Sequence, residues 1–370
     1  MPGRGNEMSS ELDETRRRLA RRPPRSVLLV RLSARGDIVF SSPMVRALRR
    51  TFPDARLTWL AESHTAGLVE HHPELDEVLV WDRARWKRLL RQGRLPTLVR
   101  EAWALVRGLR RREFDLALDM QGLLRSGVVT WLSGAPVRIG LRPKEGAHLF
   151  MTEVADRRRN RGDRSRISSE YLYLAQELGL EVEDFRMEVP LAPDDRAFAE
   201  EAVRELDLEG GFVAAVPFTT RPQKHWFEDR WARLADRLEA EKGLSTLILG
   251  GPADREADGR IREMARGMPR SLVGRTSLTR AAAVMEKASL VVGVDTGLTH
   301  TGIALDRPTI AIFGSNIPYT DPGTERARVL VHWLECSPCK GNPTCDGEFT
   351  CLRLVTVEEV METVGELLEE

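Results

Sequence analysis

Short, uninterrupted runs of apolar residues recur along this chain, and a stretch of helical periodicity follows most of them. The first run is SVLLV at residues 26–30, and others occur at 116–119, 212–216 and 290–294. A continuous apolar run of this length is typical of a β-strand that is buried on both faces, as in a parallel sheet. The alternation of such strands with helices therefore predicts an α/β protein with helices on both faces of parallel sheets.

The alternation occurs twice, which predicts two Rossmann-like domains. It is interrupted near residues 138–167 and resumes at residue 212, after a segment at 182–195 that contains prolines and that we interpret as a linker. A length of 370 residues also suits two domains of about 150 residues each. The expected parts are a first domain at 26–190, a second at 191–356 and a C-terminal helix at 357–370. Because open parallel sheets bind ligands at the carboxyl ends of their strands, we expect the site in a central cleft that both domains face.

Composition and charge narrow the class of protein and its location. Lys plus Arg and Asp plus Glu both number 56, so the net charge gives no reason to expect a nucleic-acid-binding protein. No apolar run reaches the roughly 18 residues of a transmembrane segment, and the N-terminus lacks the apolar part of a signal peptide, so we expect a cytoplasmic protein. The arginine-rich stretch 16–22 suits contact with anionic lipid head groups at the membrane surface. We nevertheless expect residues 1–25 to form a disordered basic tail.

Asp37 is the candidate catalytic residue of the first domain. It follows the first predicted strand, in the segment RLSARGDI at 31–38, where a glycine turn leads into a helix. A carboxylate at that place can accept a proton from an acceptor hydroxyl. It can equally serve as a helix cap that accepts backbone amides, and the segment alone favours the cap.

Polar residues follow several predicted strands of the second domain, and together they suit a diphosphate nucleotide. The segment DTGLTH at 295–300 begins a helix whose free amides suit a diphosphate, although a helix cap with a packed histidine is as good an interpretation. Neither domain contains G-x-G-x-x-G or G-x-x-x-x-G-K-[ST], which argues against dinucleotide and P-loop sites. The residues that we expect to form the site are Thr219, Thr220, Lys224, Asp254, Asp295, Thr296, Gly297 and His300.

Four segments carry a resemblance to a known family: VRLSARGD at 30–37, DMQG at 119–122, TTRPQKHW at 219–226 and VDTGLTH at 294–300. From about residue 26 to residue 368 the chain resembles the bacterial lipopolysaccharide heptosyltransferases, the ADP-heptose-using members of glycosyltransferase family 9, and it is most similar to the type I enzymes. The resemblance implies the GT-B fold and Asp37 as the catalytic base. It also implies an ADP-heptose site that adds Thr276 to the residues above. The chain departs from the family at Asp254, where glutamate is frequent, and at Arg35.

The activity that this resemblance implies is inverting transfer of L-glycero-D-manno-heptose from ADP-heptose to the Kdo-containing inner core of lipopolysaccharide, at the inner membrane surface. Catalysis by that route requires no cofactor. One alternative is an enzyme of the same fold that uses another nucleotide sugar or a protein acceptor. A second alternative is a non-catalytic protein that binds a nucleotide sugar.

The four cysteines, Cys336, Cys339, Cys345 and Cys351, lie in one short segment of an otherwise cysteine-free chain. In a protein that we expect to be cytoplasmic, such clustering favours a four-thiolate metal site over disulfides, with free thiols as the other alternative. Zinc is the usual metal for four thiolates, and the resemblance adds iron. We expect this knuckle, at 336–351, to serve structure rather than chemistry.

Overall fold

The computed structural model describes residues 5–141, 143–155, 165–339 and 342–369. The chain divides into two compact units. One contains Met1–Asn160 and Ser168–Pro190, and the other contains Arg161–Ile167 and Leu191–Glu370. The short segment before Ser168 joins the second unit because Arg166 pairs with Asp321 in a parallel β-bridge.

Six parallel strands form the sheet of the first unit, in the order β3–β2–β1–β4–β5–β6. They are β1 (Ser26–Val30), β2 (Arg56–Glu62), β3 (Glu77–Trp81), β4 (Leu116–Asp119), β5 (Val137–Leu141) and β6 (Glu153–Ala155). Strand β1 is buried along its whole length, as its apolar run predicts. The chain adds β2 and β3 on one side of β1 and then returns to add β4 on the other, so the strand order reverses between β1 and β4. A crevice opens at such a switch point, at the carboxyl ends of the strands.

The helices of the first unit are α1 (Gly5–Arg21), α2 (Arg35–Ser41), α3 (Pro43–Thr51), α4 (Arg83–Arg91), α5 (Leu95–Arg110), α6 (Leu124–Leu132) and α7 (Ser169–Glu177). Two short 3₁₀ turns, Ala66–Leu68 and Ala147–Phe150, join them.

The helix α1 shows that the prediction of a disordered basic tail is wrong. Leu12, Thr15 and Leu19 are buried, at spacings of three and four residues that place them on one helix face. That face packs against β6 and α7. The sequence shows no clear helical pattern here, because the few apolar residues of α1 stand between arginines, most of which are exposed.

The second unit repeats the same arrangement, with a parallel sheet in the order β12–β11–β10–β7–β8–β9. Its strands are β7 (Phe212–Val216), β8 (Ser245–Ile248), β9 (Arg270–Ser271), β10 (Leu290–Val294), β11 (Thr309–Ile312) and β12 (Ala327–Leu330). Its helices are α8 (Pro193–Glu205), α9 (Glu228–Lys242), α10 (Arg255–Met264), α11 (Leu278–Lys287), α12 (Gly297–Ala304), α13 (Thr350–Arg353) and α14 (Val357–Glu369), with 3₁₀ turns at Pro222–Lys224 and Pro252–Asp254. Here the strand order reverses between β7 and β10.

Two elements lie where the sequence shows no periodic pattern. The helix α8 begins inside the predicted linker, because Pro193 occupies its first turn. A proline is tolerated there, since an amide in the first turn has no hydrogen-bond partner within the helix. Strand β5 lies at the edge of the interrupted region, and Arg138 breaks its apolar run. Within the residues that the structure describes, no helix is long and apolar enough to cross a membrane.

Candidate active site

Asp37 lies on α2, beyond the carboxyl end of β1 and at the switch point of the first sheet. Its side chain is 41% exposed. Oδ2 forms an ion pair with Arg31 and accepts a hydrogen bond from the backbone amide of Ala34 at 3.3 Å. The contact with the amide of Ala34 caps the helix. Asp37 is therefore a helix cap and, at the same time, a partly exposed carboxylate. Within the described residues both contacts are made by Oδ2.

Arg31 is a buried cation that orients Asp37. It follows β1 directly, and its side chain is almost fully buried. Nη1 donates to the carbonyl of Met120 at 2.7 Å, while Nη2 contacts Asp37. Because the planar guanidinium is held at two points, it sets the direction of the carboxylate. No sequence pattern above singled out Arg31, although a charged residue at the end of a buried strand is itself a signal.

Gln121 holds the loop that leads to Asp37. Its Oε1 accepts the amide of Leu32 at 2.9 Å, and its Nε2 donates to the hydroxyl of Ser33 at 3.3 Å. Beside it, buried Asp119 accepts the amides of Gln121 and Gly122, both at 3.0 Å. Burial raises the pKa of Asp119 above its ordinary value, even though these hydrogen bonds oppose the rise. The segment DMQG at 119–122 is therefore a scaffold for the loop between β1 and α2.

Asp295 is the centre of a polar network at the switch point of the second sheet, directly after β10. Lys224 Nζ lies 2.5 Å from Oδ2, and Asn316 Nδ2 donates to the same oxygen at 2.8 Å. His300 Nε2 lies 3.5 Å from Oδ1. Burial by itself would raise the pKa of Asp295, but His300, Lys224 and Asn316 lower it well below its ordinary value. This carboxylate is only 9% exposed, which suits it to positioning other groups.

Lys224 is the cation of this network, and its contact with Asp295 leaves it able to bind an anion. An ammonium group has three N–H donors, of which one is directed at Asp295. The others can donate to phosphate oxygens at the carboxyl end of β7. The sequence places Lys224 in this loop, and the structure adds its fixed partner.

His300 lies behind Asp295. It is buried, and its Nδ1 forms a hydrogen bond with the hydroxyl of Tyr319, at 2.9 Å. Burial and the nearby Asp295 raise the pKa of Tyr319 well above its ordinary value. Both ring nitrogens of His300 thus contact protein groups, as in the interpretation of this segment as a helix cap with a packed histidine. Asn316 and Tyr319, which no sequence pattern above singled out, follow β11 at the same edge of the sheet.

The loop after β7 carries the two threonines. Thr219 is half-buried and Thr220 is exposed. His225 holds this loop through its backbone, since His225 Nε2 lies 2.7 Å from the carbonyl oxygen of Thr219. Trp226 is a core residue, and its indole donates to the carbonyl of Val355 at 3.0 Å. The loop that carries the two threonines is therefore held by His225, next to a residue of the core.

The remaining predicted donor-site residues lie on neighbouring loops of the same sheet edge. Asp254, after β8, accepts the amide of Gly251 at 2.7 Å and so caps a 3₁₀ turn. Thr276 is half-buried between β9 and α11. Thr296 is the N-cap residue of α12 but makes no side-chain cap bond, and Gly297 begins the helix. The structure thus brings Lys224, Asp295 and His300 into direct contact, and it places the others along the same edge.

The four cysteines lie on the second unit, between β12 and α14. Cys351 belongs to the apolar core, Cys336 is exposed, and Cys339 and Cys345 are half-buried. Burial raises the pKa of Cys351, and the other three thiols raise it further. Cys339 Sγ lies 3.6 Å from the carbonyl oxygen of Ser315, and Cys351 Sγ lies against the neighbouring residue Gly314. Within the described residues, however, no three or more His, Cys, Asp or Glu side chains are arranged to hold a metal ion. The four-thiolate metal site therefore stays a prediction.

The chain is similar to known proteins along most of its length. The sequence profile of glycosyltransferase family 9 (heptosyltransferase) matches residues 102–348, more than half of the chain. The chain belongs to glycosyltransferase family 9. This family 9 enzyme is 31% identical over 321 residues to lipopolysaccharide heptosyltransferase 1 of Pseudomonas aeruginosa, in an alignment that spans 85% of each chain.

Solved structures of the family confirm the GT-B fold. A family 9 glycosyltransferase from Veillonella parvula superposes with a TM-score of 0.78 at 23% identity, over 93% of this chain and 97% of that one. The Escherichia coli heptosyltransferase WaaC, solved with ADP-2-deoxy-2-fluoro heptose, superposes with a TM-score of 0.66 at 25% identity, over 92% of this chain and 99% of that one. The family 9 enzyme therefore has the predicted pair of Rossmann-like units.

Proposed function

We propose that this family 9 enzyme transfers L-glycero-D-manno-heptose from ADP-heptose to the Kdo-containing inner core of lipopolysaccharide, with inversion at the anomeric carbon. The observation that carries the proposal is its 31% identity to a lipopolysaccharide heptosyltransferase 1 over 85% of both chains. The exposed, oriented carboxylate of Asp37 supports transfer over simple binding, because a protein that only binds a nucleotide sugar needs no such group on the other unit.

In the proposed reaction, Asp37 is the catalytic base. Oδ1 accepts the proton of the acceptor hydroxyl as its oxygen forms a bond to the anomeric carbon. The bond between that carbon and the ADP oxygen breaks, and ADP leaves with the electron pair. Arg31 and the amide of Ala34 hold Oδ2 during this step, so the base keeps one orientation.

The proposed donor site stabilises the negative charge that builds on the departing ADP. Lys224 supplies a cation, and the amide of Gly297, at the N-terminus of α12, supplies a hydrogen-bond donor. The amide of Thr296 is already used, since it donates to the carbonyl of Val294 at 2.7 Å. Asp295 holds Lys224 in place. A carboxylate has about four acceptor positions, and the three contacts to Asp295 leave one for a sugar hydroxyl. Thr219, Thr220, Asp254 and Thr276 complete the proposed site.

A donor and acceptor assay tests this function. Purified enzyme is incubated with ADP-heptose, UDP-sugars or GDP-sugars, and with a Kdo-containing lipid A precursor or a protein acceptor, and products are identified by mass spectrometry. We expect a mass increase of one heptose on the Kdo acceptor, from ADP-heptose alone. Turnover of another nucleotide sugar, or transfer to protein, would favour the alternative enzyme of the same fold. ADP-heptose binding without turnover on any acceptor would favour a binding protein.

We also propose that zinc or iron, when bound, gathers the four cysteines into a structural site. Metal binding deprotonates thiols, and its free energy assembles ligands that are not preformed. The contacts of Cys339 with Ser315 and of Cys351 with the adjacent Gly314 support this proposal. We expect purified protein to contain about one zinc or iron per chain, and Cys339→Ser to lower both the metal content and the melting temperature. Four freely reactive thiols in a stable, metal-free, active enzyme would contradict it.

The acceptor of this reaction is linked to a lipid. We therefore propose that the enzyme acts in the cytoplasm, at the periphery of the inner face of the cytoplasmic membrane. Arginines on α1 are one candidate for contact with that surface, since most of them are exposed.

A further inference from the structure

A basic helical hairpin stands out on the first unit. It consists of α4, α5 and the turn between them, residues 83–110, and we call it the α4–α5 hairpin. These residues contain nine arginines and lysines and one acidic residue, Glu101. Glu101 is already paired with Arg85, at 2.8 Å. In a chain whose acidic and basic residues balance, this is a strong local excess of positive charge.

Exposed apolar side chains lie among these cations. Leu95, Val99 and Trp103 follow one another at intervals of four residues, so they share one face of α5. They and Leu90 at the end of α4 are 52–66% exposed. The side of α5 that faces the core is formed by other residues, since Leu109 is buried and Leu105 packs against the core cluster of the unit.

Cations border this apolar stripe. The guanidinium of Arg107 lies 4.9 Å over the ring of Trp103, a cation–π contact that keeps the charge next to the exposed aromatic ring. Exposed cations on the hairpin are Lys87, Arg88, Arg91, Arg94 and Arg100. An amphipathic helix with Trp, Leu and Val on one side and Arg on its flanks is typical of a segment that lies in a membrane interface.

The positive charge of the α4–α5 hairpin and its exposed apolar stripe together favour one class of partner. A second copy of the same surface would be repelled, because both copies carry a large positive charge. Nucleic acid phosphates would satisfy the arginines but would leave the apolar stripe in water. An anionic phospholipid surface satisfies both, since head-group phosphates bind the cations and the apolar side chains enter the acyl boundary.

We propose that the α4–α5 hairpin docks this enzyme on an anionic phospholipid surface. Leu90, Leu95, Val99 and Trp103 insert at the level of the head groups, and the flanking arginines and lysines bind lipid phosphates. This inference rests on the proposed function, because a lipid-linked acceptor makes such docking useful. It assigns that contact to the hairpin and not to the arginines of α1.

Vesicle flotation with the full-length enzyme tests the docking surface. Vesicles of phosphatidylcholine mixed with phosphatidylglycerol are compared with vesicles of phosphatidylcholine alone. We expect wild type to bind the anionic vesicles about tenfold more tightly or better, and less tightly as salt is raised. Val99→Asp/Trp103→Glu should weaken that binding about tenfold or more, and Arg88→Glu/Arg91→Glu/Arg94→Glu should do the same.

Two matched variants serve as controls. Trp333→Glu replaces an exposed tryptophan of the second unit, and Arg17→Glu/Arg18→Glu/Arg21→Glu makes the same charge change on α1. We expect Trp333→Glu to bind like wild type and the α1 variant to lose much less binding than the hairpin variants. Every variant should turn over a soluble, lipid-free acceptor at the wild-type rate, which shows that it is folded.

Specific results would overturn the docking surface. Wild-type binding by Val99→Asp/Trp103→Glu, an equal loss in the α1 variant, or hairpin-dependent capture of protein or nucleic acid without vesicle binding would each do so. Vesicle binding without heptose transfer to any acceptor would contradict the proposed function and leave the docking surface standing. Heptose transfer without vesicle binding would contradict the docking surface and leave the proposed function standing.

Discussion

At the scale of single residues, both candidate sites depend on a carboxylate that a nearby cation holds. Arg31 holds Asp37, and Lys224 holds Asp295. The two carboxylates differ in exposure, 41% against 9%, and this difference separates their roles. The exposed group can take a proton from a ligand, whereas the buried group positions the side chains around it.

The first prediction concerns the proposed base. Asp37→Asn keeps the shape of the side chain but removes its ability to accept a proton, so we expect kcat to fall about 10²-fold or more. The Kd of ADP should stay near that of wild type, because the donor residues lie on the other unit. Asp54→Asn, an exposed carboxylate of the same unit, is the control and should keep full turnover. Near-wild-type kcat for Asp37→Asn at saturating acceptor would leave Asp37 as a helix cap only.

The second prediction concerns the donor cation. Lys224→Ala removes a charge-assisted contact of about 1.5–3 kcal/mol to the diphosphate, so we expect ADP to bind at least about tenfold more weakly by calorimetry. Lys242→Ala, an exposed lysine of the same unit, is the matched control and should bind ADP like wild type. If Lys224→Ala binds ADP with unchanged affinity, the diphosphate site lies elsewhere and Lys224 serves only to neutralise Asp295.

At the scale of elements, the start of a helix after a central strand recurs in both units. The helix α2 follows β1, and α12 follows β10, each at the switch point of its sheet. The helix α1 has a different role, because it precedes the sheet and covers its far edge at β6. Its contribution is to stability.

The third prediction tests that contribution. Leu19→Ala empties a buried position of α1, and we expect it to lower the free energy of unfolding by about 2–5 kcal/mol in urea titrations. Arg18→Ala, on the exposed side of the same helix, should change the free energy of unfolding by less than about 0.5 kcal/mol. Equal stability of both variants would mean that the N-terminal segment is not part of the folded unit.

At the scale of the whole molecule, the free energy of unfolding should depend on pH through the protonation of Asp295. The pKa of Asp295 is lower in the folded chain than its ordinary value of 3.8, so protons bind the unfolded chain more readily. The stabilisation from this carboxylate is complete above that ordinary value and is lost as the pH falls below it.

The fourth prediction follows from this linkage. Wild type should be more stable than Asp295→Asn near pH 6, and the difference in the free energy of unfolding should shrink towards about pH 3. Urea titrations of both proteins at each pH measure it, and the comparison removes the acid effects that both share. A difference that grows as the pH falls would show that the folded chain holds the neutral form of Asp295.

Much of the fold follows from local sequence patterns. The continuous apolar runs predict β1, β4, β7 and β10 because a strand that is buried on both faces has no polar side. The places of Asp37 and Asp295 after such strands are visible in the same way. The helix α1 and the strand β5 are not visible in this way, because arginines interrupt the apolar residues of both. The burial of these two elements comes from contacts with elements far away in the chain.

By itself, then, the sequence determined the α/β class, most strand positions and the loops that carry Asp37, Lys224 and Asp295. Only the tertiary structure decided that β1 lies beside β4 and β10 beside β7, since strand order depends on pairing between residues far apart in the chain. That order brings Gln121 to the loop before Asp37 and Lys224 to Asp295. Those contacts position both carboxylates, and no local pattern encodes them.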